Sequence, residues 1–302
     1  MRRWPWWQGL EGGDWRWPAE QRVLLLLDGV RVESLSRRLY EWSEGELAAD
    51  MLYAGTPWAE VSELSPWLVG LEGPEDPILR AFLAEGLEAE WGYLILGRAE
   101  RGEVTDHLRN LIQVEHPAGI PMLLRLADPA VMAALLVSDS TPGQVPWGPI
   151  DAILTPDAIA EEWHYHAPRE TDESPCHLPH AYRLSEPQHR RLQDCDRRRD
   201  VGQLMAFVDR HCGGWLTATD RGQRYAQLAG IVQEACELGF TAPREWALFC
   251  TLMQRLGITS WQQSEGREAW TKLLRDPGQG SGMARLEAAL AVAPTSRTDV
   301  TT

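Results

Sequence analysis

The densest gathering of metal-ligating side chains in the sequence is His164, His166, Cys176, His177 and His180. On a strand, H-x-H places two imidazoles on one face, because successive side chains alternate. C-H-x-x-H a few residues on could supply the remaining ligands of a tetrahedral zinc. A zinc held by three of these ligands, with water in the fourth position, would activate that water and make the chain a metal-dependent hydrolase. The C-x-x-C and H-x-x-x-H spacings of familiar zinc folds are absent, however. Histidines also collect in solvated loops where they do no chemistry. The residues by themselves therefore call for no cofactor, and the hydrolase stands as an alternative.

A second constellation is Arg125, Asp128 and Pro129 in "LLRLADPAVMAALL", 123–136. An aspartate before a proline is a helix start. Its carboxylate accepts a backbone N–H, and proline at the next position gives up no needed donor. Asp76-Pro77 repeats the device, which favours a structural over a catalytic role. Arg125, read inside a strand over 121–126 and flanked by leucines, needs an acid or a carbonyl, since a buried unpaired charge is costly. Asp28, at the end of another strand, is one candidate partner.

Other signatures are missing. There is no G-x-S-x-G, no Walker A and no H-E-x-x-H. "GLEGG", 9–13, lacks the strand and helix that flank a phosphate loop. Glu85, Glu88 and Glu90 read as a solvated helix end. The run "HRRLQDCDRRR", 189–199, is interleaved with acids and reads as a salt-bridged helix face.

The 302 residues carry a net charge of −15, which repels phosphate backbones and argues against nucleic acid as a partner. The charge is uneven: residues 1–155 hold 24 acids against 12 bases, and 156–302 hold 20 against 17. Five cysteines without C-x-x-C fit a reducing cytoplasm better than a disulfide framework. No signal-peptide core follows the amino terminus, and "VLLLL" is too short to span a bilayer, so no membrane insertion is expected.

The elements that would position these residues fall into five parts. Residues 1–21 form a Trp-rich arm. Strand-like and helical segments alternate over 22–154: strands at 22–28, 51–55, 66–71, 91–96, 121–126 and 150–154, with helices between. That order predicts an α/β (α+β) lobe with a mostly parallel or mixed sheet. Residues 155–184 read as a His/Pro-rich connector, with a short hairpin at 161–167. From the Ser185/Gln188 capping box to 291, apolar stripes recur at helical spacing and predict an all-helical lobe. Residues 292–302 are too polar to order themselves. Trp42, Trp58 and Trp67 are candidate anchors for a protein partner, since Trp is enriched at interface hot spots, and equally candidates for core.

The order "LLLLDGVR" (24–31), "LYAGTPWAEVSELSPWLVGL" (52–71), "WGYLIL" (91–96) and "HLRNLIQVEHPAGIPMLLRLADPAVMAALL" (107–136) resembles the effector adaptors of the type VI secretion system, also called Tap or TEC chaperones and first catalogued as a domain of unknown function. "LMQRLGI", 252–258, is similar to the family's looser carboxy-terminal lobe. Ala127 stands where the family usually has an aromatic. The resemblance implies a cytoplasmic, non-enzymatic adaptor that binds a toxin effector and helps load it onto the spike protein VgrG. It supplies no catalytic residues, and its strand, arginine, Asp-Pro, helix signature marks Arg125, Asp128 and Pro129 as shaping the α/β lobe. An immunity protein that neutralises a toxin is a further alternative.

Overall fold

The computed structural model describes residues 17–43, 46–136, 146–169, 182–262 and 266–294. The chain divides into two compact units, Met1–Cys195 and Asp196–Thr302.

The first unit is built on a six-stranded sheet in the order β2-β3-β1-β4-β7-β8. The strands are β1 (Arg22–Leu27), β2 (Ala49–Met51), β3 (Trp67–Leu71), β4 (Gly92–Gly97), β7 (Ala152–Asp157) and β8 (Glu162–His166). Every neighbouring pair is antiparallel, so the expected mostly parallel or mixed sheet is corrected. The reason lies in what an apolar run encodes. "VLLLL" is continuous because both faces of β1 are covered. Leu24 and Leu26 enter one core with Tyr93, Ile95 and Ile153. Val23, Leu25 and Leu27 enter the other with Val69, Leu94 and Leu154. Coverage of both faces fixes hydrophobicity, but it does not fix the direction of the neighbours.

Helices α3 (Arg101–Ile112) and α4 (Pro129–Leu136) feed the first core, while α1 (Leu35–Trp42) and α2 (Pro77–Ala81) feed the second. A second, two-stranded sheet pairs β5 (Gln113–Glu115) with β6 (Pro121–Leu123). Two expected strands are shorter than read. "MLYAG" is strand only to Met51, and the strand at 121–126 ends at Leu123, which leaves Arg125 in the irregular segment before α4. Residues 155–166, read as connector, contain the second half of β7 and all of β8, which pair as a hairpin at the end of the sheet.

Helix α5 (Glu186–His211) starts with the expected reciprocal cap: Ser185 N donates to Gln188 Oε1 at 3.0 Å, and Gln188 N donates to Ser185 Oγ at 3.3 Å. The second unit contains the rest of α5, then α6 (Arg221–Glu237), α7 (Pro243–Leu256), α8 (Arg267–Arg275) and α9 (Gly282–Val292). Its core takes Val201, Leu204 and Val208 from α5, Ile231 and Val232 from α6, and Phe249 and Met253 from α7. Leu274 and Leu286 come from α8 and α9. All of these except Ile231 and Leu286 lie on stripes that the helical spacing marked. Pro243 stands in the first turn of α7, and Gly257 ends that helix with φ 67°, a conformation that glycine adopts without strain. No helix among the described residues is long and apolar enough to cross a membrane.

Candidate functional site

The signature residues meet at the carboxyl end of β1. Asp28 follows the last residue of that strand and is buried. Its Oδ1 accepts from Val30 N at 2.8 Å, which tightens the turn out of the strand. Its Oδ2 accepts from Arg125 Nη2 at 2.7 Å. Asp128 is also buried, and its Oδ1 accepts from Ala130 N at 3.1 Å as the cap of α4. The Asp128 carboxylate also faces Arg31, whose Nη2 lies 3.6 Å from Oδ2. The pairing is therefore crosswise. The 28–31 turn provides an acid and a base, the 125–128 segment provides an acid and a base, and each acid meets the base of the other segment.

Backbone bonds reinforce the crossing. Asp28 N donates to Trp91 O at 2.7 Å, and Asp128 N donates to Arg125 O at 2.9 Å. Arg31 Nη1 also donates to Ala89 O at 3.3 Å, and the buried Tyr93 hydroxyl donates to Leu126 O at 2.9 Å. Burial, with the Asp128 charge behind it, pushes the Tyr93 hydroxyl well above the ordinary phenol range. Tyr53 is raised by burial and then by Asp28, and Arg125 offsets part of this. Both phenols therefore stay protonated at neutral pH, as donors and not bases. Each carboxylate is occupied by a guanidinium and a backbone N–H, so the cluster holds two segments and the sheet end together.

Asp76 does for α2 what was expected: its Oδ1 accepts from Ile78 N at 2.9 Å. The tryptophans are half-buried. Trp42 stacks on Trp91 with centroids 6.0 Å apart, and the Arg38 guanidinium lies over both rings at 5.8 and 5.4 Å. Trp67 packs against the same core, and Trp58 packs against the other. Glu90, read as part of a solvated helix end, is in fact buried with φ 51°, and its Oε1 accepts from Ala158 N at 3.1 Å. Glu90 ends the turn over 87–90 that precedes β4, and its contact with Ala158 is a tertiary circumstance that local polarity does not signal.

Of the histidine group, His164 and His166 share one face of β8, with ring centroids 6.4 Å apart. His164 Nε2 lies 3.6 Å from Glu162 and 3.8 Å from Asp157. Burial, and secondarily His164, lowers His166 to a pKa of about 4. Cys176, His177 and His180 lie outside the described residues. Among the described residues no group of three or more His, Cys, Asp or Glu side chains could hold a metal ion.

Sequence reasoning missed Arg31 and its pairing with Asp128. The available signal was symmetry: D-x-x-R at 28–31 and R-x-x-D at 125–128 are mirror spacings.

The fold and site define an α+β domain whose sheet end is locked by crossed ion pairs, followed by a helical unit. Residues 23–145 match the family described as domain of unknown function DUF4123. The chain is 27% identical over 279 residues to the accessory protein VasW of Vibrio cholerae serotype O1 (strain ATCC 39315 / El Tor Inaba N16961), covering 91% of this chain and 88% of that protein. No solved structure matches the chain. Both matches support the resemblance of the motif order to the type VI secretion effector adaptors.

Proposed function

We propose that this protein is a cytoplasmic adaptor that binds a toxin effector and helps load it onto the VgrG spike. The observation that carries the reading is the extent of the match to VasW, which includes both units and not the α+β domain alone. The site supports a binding role. Its charges are engaged with one another, and such an arrangement shapes a surface without turning anything over. On this reading the protein is no enzyme and needs no cofactor.

The test is affinity purification of the full chain from cells with an active secretion system. A toxin effector and a VgrG carboxy-terminal segment should both be enriched, and enrichment of neither would defeat the proposal. Deletion of the gene should block delivery of the toxin and leave the producing cell alive. Death of the producer would favour the immunity-protein reading instead.

A further inference from the structure

The β5–β6 hairpin has two unlike faces. Val114 and Met122 are opposite one another and pack into the core. The period of two then places Gln113 with Leu123, and Glu115 with Pro121, on the outer face. Gln113, Glu115 and Pro121 line a groove of ≈550 Å³ whose other walls include Trp58, Asp106 and Arg109. Leu123 is 49% exposed, and Ile120 beside it is 62% exposed.

Among the described residues the hairpin also has one edge without a strand neighbour. The far side of β5 is engaged, since Glu115 N donates to Tyr182 O at 2.8 Å and Leu184 N donates to Glu115 O at 2.8 Å. Among the described residues β6 has β5 as its one strand neighbour. Proteins usually blunt such an edge with charged side chains or proline. Here Pro121 is the sole such device in β6, and Ile120 and Leu123 flank the edge with apolar surface.

Charge indicates what fits. The first unit holds 32 acids against 16 bases, and the second 12 against 13. Within the groove the Arg109 guanidinium is engaged by the carbonyls of Met51 and Leu52, both at 3.2 Å, and by Asp106 at 3.1 Å. Asp106 itself remains 76% exposed. A second copy of the chain would bring like charge against like, which disfavours self-pairing.

We propose that the outer face and the β6 edge of the β5–β6 hairpin bind an extended basic segment of a protein partner. That segment adds as a strand to β6, sets apolar side chains on Ile120, Leu123 and Trp58, and directs Lys or Arg toward Asp106, while Glu115 faces Arg183 across 4.0 Å. This rests on the adaptor reading and assigns it a surface.

The probe is a fluorescently labelled peptide of about ten residues with alternating valine and lysine. The control has glutamate in place of lysine. Binding to the full chain is followed by anisotropy at low and high salt. The lysine peptide should bind, weaken with salt, and lose about tenfold in affinity to the Ile120→Lys/Leu123→Lys variant. Both positions are exposed, so this variant should melt as the parent does. Ile120→Ser/Leu123→Ser, which adds no charge, should also weaken binding. The proposal is overturned by no binding, by equal binding of both peptides, by variants that bind like the parent, or by light scattering that shows a dimer through this face. In the purification above, a toxin or VgrG segment retained equally by parent and variant would sink the groove and spare the adaptor. Peptide binding with neither protein enriched would do the reverse.

Discussion

Arg125→Ala withdraws the guanidinium from which Asp28 Oδ2 accepts at 2.7 Å. Two limits bracket the cost. Breaking a fully buried pair by removing one partner costs about 3–5 kcal/mol, because the other charge is stranded. An exposed pair contributes about 0–1 kcal/mol. Here the Asp28 side chain is 6% exposed and the Arg125 side chain 34%, so water can partly replace the lost cation. Asp28 also keeps its bond from Val30 N. The loss should therefore be ~2 kcal/mol, intermediate between the limits. For a unit of this size that lowers the melting temperature by about 4–8 °C. Differential scanning calorimetry of the full chain reads it directly. Asp28→Ala and the double variant complete a cycle in which the double loss should fall short of the summed single losses by about 1–2 kcal/mol. An unchanged melting temperature in Arg125→Ala, or strict additivity in the cycle, would refute the claim that these charges hold the sheet end.

Two further outcomes are expected. A Cβ at Gly92 would run into the Leu26 carbonyl oxygen on the neighbouring strand, which is backbone and cannot step aside. Gly92→Ala should therefore cost about 3 kcal/mol or more and sharply reduce soluble yield; a variant that melts within a degree or two of the parent would contradict the close approach. For His166 the folded pKa of about 4 lies below the unfolded value of about 6.5, so the unfolded chain binds more protons between them. Its contribution is full above pH ~6.5 and is lost as pH falls toward 4. His166→Gln, which can still bond the Thr155 hydroxyl, should flatten the decline in melting temperature across that window. Parallel curves for parent and variant would show that the group is not responsible.

Helix caps and helix faces depend on residues close in sequence, and they could be read before any fold was known. Asp76-Pro77, Asp128-Pro129 and Ser185 with Gln188 each satisfy backbone groups within a few positions, so spacing suffices to place them. The stripes of α5, α6 and α7 follow the same logic: a helix with one apolar side must find another. The two-sided burial of β1 was equally legible, since no polar residue interrupts it. The resemblance to the type VI secretion effector adaptors was legible from the order of four such segments.

Tertiary structure decided what depends on pairing across the chain. Strand direction is one case, because an apolar strand satisfies its two cores whichever way its neighbours run. Arg125 is another. "PMLLRL" has the composition and the period of a strand, with Met122, Leu124 and Leu126 all entering one core, but its ladder with β5 ends at Leu123, and only the pairing across the chain sets that limit. The crossing of Arg31 to Asp128 and Arg125 to Asp28 joins residues about a hundred positions apart in sequence. Local composition carries no energy for such a contact. Burial, which makes an unpaired charge costly, selects it only once the two segments have been brought to the same end of the sheet.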